Sequence, residues 1–144
     1  MRPNRRISRG NPGGVYEART GDVVVRVAPS YLAEQSEPEE SRWVWAYMVE
    51  IENHGTTPLT LVSRRWIITD AQNRVETVEG AGVIGEQPRL EPREAFRYAS
   101  GCPLSTPSGT MRGTYQMAAD DGDTFAVEIP AFSLHLPGAT KTLN

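Results

Sequence analysis

One cysteine, two histidines and no long apolar run constrain this chain of 144 residues before any motif is sought. A lone Cys102 excludes an internal disulfide and fits a reducing compartment. His54 and His135 stand far from each other and from Cys102, so no pair has the spacing of a metal site. No apolar stretch approaches the roughly 20 residues of a membrane span. The N-terminal arginines have no apolar segment behind them, so a secretory leader is not expected. A helical period is nowhere sustained over three turns. With 38% hydrophobic and 23% charged residues, the expectation is one globular domain, cytoplasmic and away from membranes.

Charge is unevenly placed within the net −3. Residues 1–19 hold Arg2, Arg5, Arg6, Arg9 and Arg19 against Glu17 alone, a balance of +4 that leaves −7 for the rest. Pro3, Pro12, Gly10, Gly13 and Gly14 share that segment with almost nothing apolar, so it cannot offset its own ordering entropy. We expect a flexible basic tail over 1–19, a folded domain over 20–137 and a short tail over 138–144. Five arginines without aromatics make a weak nucleic-acid footprint, and an acidic body weakens it further. Nucleic acid is not the expected partner.

The period from Thr20 onward is that of strands. Asp22 to Ala28 is β-branched and stops at Pro29, and residues 34–42 are acidic and read as a loop. Trp43, Trp45, Tyr47, Val49 and Ile51 fall on one face of a strand over 43–52, the expected core together with Trp66 and Ile68. Residues 59–70 make a second long strand with a bend near Ser63, and 74–79 a third. An extended piece is expected around 95–99, while Pro103 and Pro107 argue against regular structure over 101–109. Strands over 110–118 and 124–129 flank Asp120-Asp121-Gly122-Asp123, a strong hairpin signal, and a short strand follows Pro130. Some seven to eight strands without helices predict an all-β antiparallel sandwich of immunoglobulin or fibronectin type III kind.

Gly80-Ala81-Gly82-Val83-Ile84-Gly85 spells the dinucleotide fingerprint, but Pro88 would break the helix that this motif must open, and no βαβ pattern surrounds it. Two readings of the glycines remain open. Amides of Gly80, Gly82 and Gly85, with Glu86 and Gln87 adjoining, could converge on a phosphate or pyrophosphate as nests do, with Arg64 or Arg89 neutralising it. Alternatively the glycines only permit positive φ and close strand approach in a long connection.

Beyond periodicity, the chain resembles the ApaG family. The likeness is carried by Arg64 to Asp70 (RRWIITD), Glu79 to Leu90 (EGAGVIGEQPRL) and Phe96 to Cys102 (FRYASGC). Thr106 to Met111 (TPSGTM), Gly113 to Met117 (GTYQM) and Ile129 to Phe132 (IPAF) continue it in order, so that it spans about Val23 to Leu136. Arg65 stands where the family often has a histidine, so a role of that histidine does not transfer. The resemblance implies a small fibronectin type III-like sandwich. It also implies a genetic link to cobalt and magnesium handling in bacterial members, none of which has an established enzymatic activity. Related domains in larger eukaryotic proteins, among them an F-box protein and a polymerase-interacting protein, look like protein-binding modules.

Other candidate sites are few. Phe96 and Tyr98, with Tyr115 and Met117 from the next strand, would form a recognition surface if exposed and core if not. Asp120, Asp121 and Asp123 lack the alternating ligands of a calcium loop and read as turn residues. Cys102 would need a base or cation to become a nucleophile, and only Arg97 is near in sequence. No catalytic constellation and no firm cofactor or metal is expected. The leading expectation is a non-enzymatic adaptor that binds a protein partner; free strand edges offer strand addition or a homodimer. The alternatives are a nucleotide or pyrophosphate sensor or hydrolase using the glycine segment, and weak direct binding of a divalent cation.

Overall fold

Two-residue alternation sorts the long strands of this protein into a core face and an outer face. The computed structural model describes residues 14–138. Its strands are β1 (Tyr16–Thr20), β2 (Val23–Tyr31), β3 (Trp43–Asn53), β4 (Leu59–Asp70), β5 (Val75–Ala81), β6 (Arg89–Leu90), β7 (Ala95–Leu104), β8 (Gly109–Ala119) and β9 (Thr124–Leu134). All the pairings between them are antiparallel. One sheet runs β1-β2-β3-β7 and the other β5-β4-β8-β9, with β6 added to β4. Two short 3-10 turns, Ala33–Gln35 and Pro38–Glu40, fill the acidic loop before β3. The predicted sandwich is the fold.

The core lies between the sheets. Trp45, Tyr47, Val49 and Ile51 of β3 face Leu61 and Trp66 of β4, Tyr115 and Met117 of β8, and Phe132 and Leu134 of β9, all buried. The rings of Tyr47, Trp66 and Phe132 lie 5.3–5.9 Å apart in tilted and edge contacts, arrangements that aromatic quadrupoles favour. Trp45 donates its indole N–H to the carbonyl of His135 at 2.9 Å, which fastens the chain after β9 onto the first sheet. The bend anticipated near Ser63 is a register shift between Leu61 and Ser63.

Prolines misled the strand boundaries in three places. β2 continues through Pro29 to Tyr31, because β1 pairs no further than Val27 and the missing amide faces no partner strand there among the described residues. β7 runs through Gly101, Cys102 and Pro103 to Leu104, correcting the irregular segment expected from 101; Pro103 stands opposite Val44 on an edge strand, where a ladder donor is dispensable. β9 is one strand across Pro130, since a bulge sets Pro130 and Ala131 against Arg112 alone. The basic tail expected over 1–19 is shorter than that, because Tyr16–Thr20 pairs with Val23–Val27 as β1. Residues before Gly14 and after Gly138, the rest of both expected tails, lie outside the described residues.

Candidate functional site

The glycine segment is a tight hairpin rather than a long loop. Gly80 and Ala81 complete β5, opposite Arg64 and Ser63. Val83 and Glu86 then exchange two backbone hydrogen bonds of 2.8 Å each, which closes a two-residue turn on Ile84 (φ 41°) and Gly85 (φ 80°). Positive φ at both central residues is the requirement of a type I′ turn. Gly82 (φ 59°) is fixed by proximity as well, since a Cβ there would lie 1.9 Å from the carbonyl oxygen of Glu86.

The hydrogen bonds of this hairpin bear on what it can hold. The amide of Gly82 donates to Val62, that of Val83 to Glu86 and that of Glu86 to Val83. Gln87 spends its side-chain N–H on the Val62 carbonyl at 2.8 Å. Arg64 reaches the segment, as one of the two arginines proposed for it, but donates to the carbonyls of Ala81 and Gly82 at 3.1 and 2.9 Å. Arg89 is instead held by Glu91 and Asp120. An anion nest needs several amides turned outward together; here three are turned inward.

The aromatic cluster is core, and the recognition surface drawn from it is corrected. Tyr98, Tyr115 and Met117 are buried, while Phe96 is half-buried. β7 and β8 belong to different sheets, so Tyr98 and Tyr115 face one another across the interior and their hydroxyls hydrogen-bond. Burial holds both phenols above the usual tyrosine range. Cys102 is likewise buried in β7 rather than exposed in a loop, and desolvation, with a smaller contribution from Glu76, pushes its thiol up to about 11. A nucleophilic thiol needs the opposite shift.

The remaining polar candidates are occupied locally. His54 lies 2.8 Å from Glu52, and Ser133 lies 3.0 Å from the His135 ring. Asp121 caps the amide of Asp123 at 2.9 Å. Among the described residues no three His, Cys, Asp or Glu side chains gather as a metal site would require. A hollow of about 310 Å³ opens between the β4–β5 turn and the start of β8, lined by Thr69, Asp70, Asn73, Ser108 and Thr110. Its carboxylate serves the turn: Asp70 accepts from the amides of Gln72 and Arg74 and from the Arg74 guanidinium.

The surface with most chemistry is the outer face of the first sheet. Glu17, Arg26, Glu50 and Arg97 are direct cross-strand partners over all four strands. They form a ladder of alternating sign, with contacts of 2.9 Å (Glu17–Arg26), 3.1 Å (Arg26–Glu50) and 2.6 Å (Glu50–Arg97). Arg26 also meets Glu52 at 2.8 Å. Burial opposes ionisation of Glu52, but hydrogen bonds from His54 and Arg26 outweigh it and hold the carboxyl below its usual range.

Beside this ladder runs an apolar row, Ala28, Met48 and Ala99, paired in register. Met48 is 54% exposed and, with Val15, Ala28 and Val49, walls a hollow of about 220 Å³ rimmed by Arg26, Glu50 and Arg97. The sequence carries a signal for this face beyond the core pattern read from it. The alternation that sends Tyr47 and Val49 inward sends Met48, Glu50 and Glu52 outward.

Comparison with known proteins agrees with the fold. A profile of the ApaG domain matches residues 33–119. The chain is 63% identical over 139 residues to a protein ApaG of Caulobacter vibrioides, covering 96% of this chain and 99% of that one. It is 55% identical over 130 residues to a protein ApaG of Allorhizobium ampelinum, covering 90% and 100%. Among solved structures, the putative ApaA protein of Bordetella pertussis superposes with a TM-score of 0.80 at 50% identity, over 82% of this chain and 96% of that one. The chain belongs to the ApaG domain family.

Proposed function

We propose that this protein is a non-enzymatic interaction module that docks a partner protein on the outer face of its first sheet. The observation that carries the reading is Met48, more than half exposed at the centre of an apolar row and flanked by a charge ladder. An apolar anchor inside a polar rim is the anatomy of a protein interface. Buried and neutral Cys102, and histidines engaged with their neighbours, support a binding role over catalysis. The cobalt and magnesium phenotype implied by the resemblance would then be exerted through the partner.

Crosslinking and affinity capture with wild-type protein and Met48→Glu test the reading. A partner bound by the wild type and lost by the variant, with the melting temperature unchanged, is the expected result. Equal capture by both proteins would remove the outer face as the docking surface.

A further inference from the structure

Among the described residues β5 is hydrogen-bonded on one side only, to β4, and Val75, Glu76, Thr77, Glu79 and Ala81 along it are exposed. The other three edges are blunted or covered. β1 and β9 pack against each other, with the Glu128 amide donating to the Thr20 hydroxyl, and β7 carries Pro103 and Arg97. β5 has neither proline nor bulge. Such an edge is a template for another strand.

We propose that the strand that completes this edge is β5 of a second copy of the chain, antiparallel about a two-fold axis through Val78. That axis keeps outer-face residues beside outer-face residues and sets Val78 against Val78. Thr77 then faces Glu79 of the second copy, Val75 faces its Ala81, and Glu76 faces its Gly80. Neighbouring registers are worse. An axis through Glu79 or Glu76 stacks two carboxylates directly, which is unfavourable across a pair of strands, and one through Thr77 sets each glutamate against a valine.

The register also supplies an ion pair. Arg64 is the cross-strand partner of Gly80, and its guanidinium lies 2.9–3.1 Å from where a Gly80 Cβ would stand. Among the described residues neither Arg64 nor Glu76 belongs to a salt bridge. Opposite Gly80, Glu76 of one copy comes to the Arg64 guanidinium of the other, twice by symmetry. Two sites each lacking a counter-charge satisfy one another, and the sheets join into one continuous sheet.

Sedimentation equilibrium of the full chain reads the result. A concentration-dependent dimer is expected. Thr77→Lys, which places an ammonium opposite Glu79 twice, should tighten it, and Glu76→Lys should weaken it, each by about tenfold in the dissociation constant. Val78→Cys should form an intermolecular disulfide on mild oxidation, since directly paired strand residues fall within disulfide reach. Sedimentation as a monomer throughout, with no crosslink at Val78→Cys, overturns the proposal. So does a dimer indifferent to Thr77→Lys and Glu76→Lys. Met48→Glu lies on the other sheet and should leave dimerisation untouched, so that failure of the docking face and failure of this edge remain distinct.

Discussion

Ile84 holds φ 41° at an exposed position, where a β-branched side chain crowds its own backbone. Asparagine tolerates that conformation far better and is favoured at the first central position of a type I′ turn. Ile84→Asn should therefore raise stability by about 1 kcal/mol, read as a higher urea midpoint with unchanged slope. A lower midpoint would mean that the isoleucine is held by packing instead. Two residues earlier the outcome reverses. Gly82→Ala suffers both positive φ and a collision with the Glu86 carbonyl, so it should cost more than the roughly 1–2 kcal/mol of the left-handed conformation alone. Gly85→Ala, with open space around its Cβ, should cost no more than that. The two alanine variants thus separate backbone conformation from steric contact within one hairpin.

Among the strands, β3 has the most to lose from a single change. Trp45 is 1% exposed, packs against the Tyr31 ring at 5.4 Å and holds the His135 carbonyl. Trp45→Ala should lower stability by about 3–5 kcal/mol, measured by chemical unfolding; a variant that unfolds at the wild-type midpoint would remove Trp45 from the core. β3 was legible in advance because five large apolar side chains share its two-residue phase. β7 and β9 were legible only in part. Their prolines read as breaks, whereas an edge position excuses Pro103 and a bulge excuses Pro130, and neither circumstance is local to the residues themselves. The glycine hairpin was half legible for the same reason. Its glycines announce positive φ, but the direction in which its amides point depends on Val62 and Arg64, some twenty residues earlier in the chain. Tyr98 and Tyr115 needed to be assigned to different sheets before their burial could be known.

The molecule as a whole keeps several ionisable groups neutral between its sheets, and that arrangement limits it at high pH. Cys102 is pushed up to about 11 by burial, and burial also raises Tyr47, Tyr98 and Tyr115. Unfolding returns each group to its ordinary value, so the unfolded chain loses these protons at lower pH than the folded one. Stability from a raised pKa is complete below the unfolded value and is lost as pH climbs toward the folded one. Cys102 acts first, between about 9 and 11, and the tyrosines follow from about 10 upward. The unfolding free energy should therefore be flat through neutral pH on account of these groups and fall with increasing slope above pH 9. Cys102→Ala should delay the onset. The paired change Tyr98→Phe with Tyr115→Phe should reduce the slope above pH 10, because it removes two ionisable groups and leaves neither hydroxyl without the other. The single change Tyr115→Phe strands the Tyr98 hydroxyl and should be the less stable of the two at neutral pH, by about 1–3 kcal/mol. Phenolate absorbance followed through the titration decides the case. Ionisation of Tyr47, Tyr98 and Tyr115 coincident with loss of the fold is the expected outcome, whereas their smooth ionisation in a protein that stays folded would mean that the space between the sheets admits water.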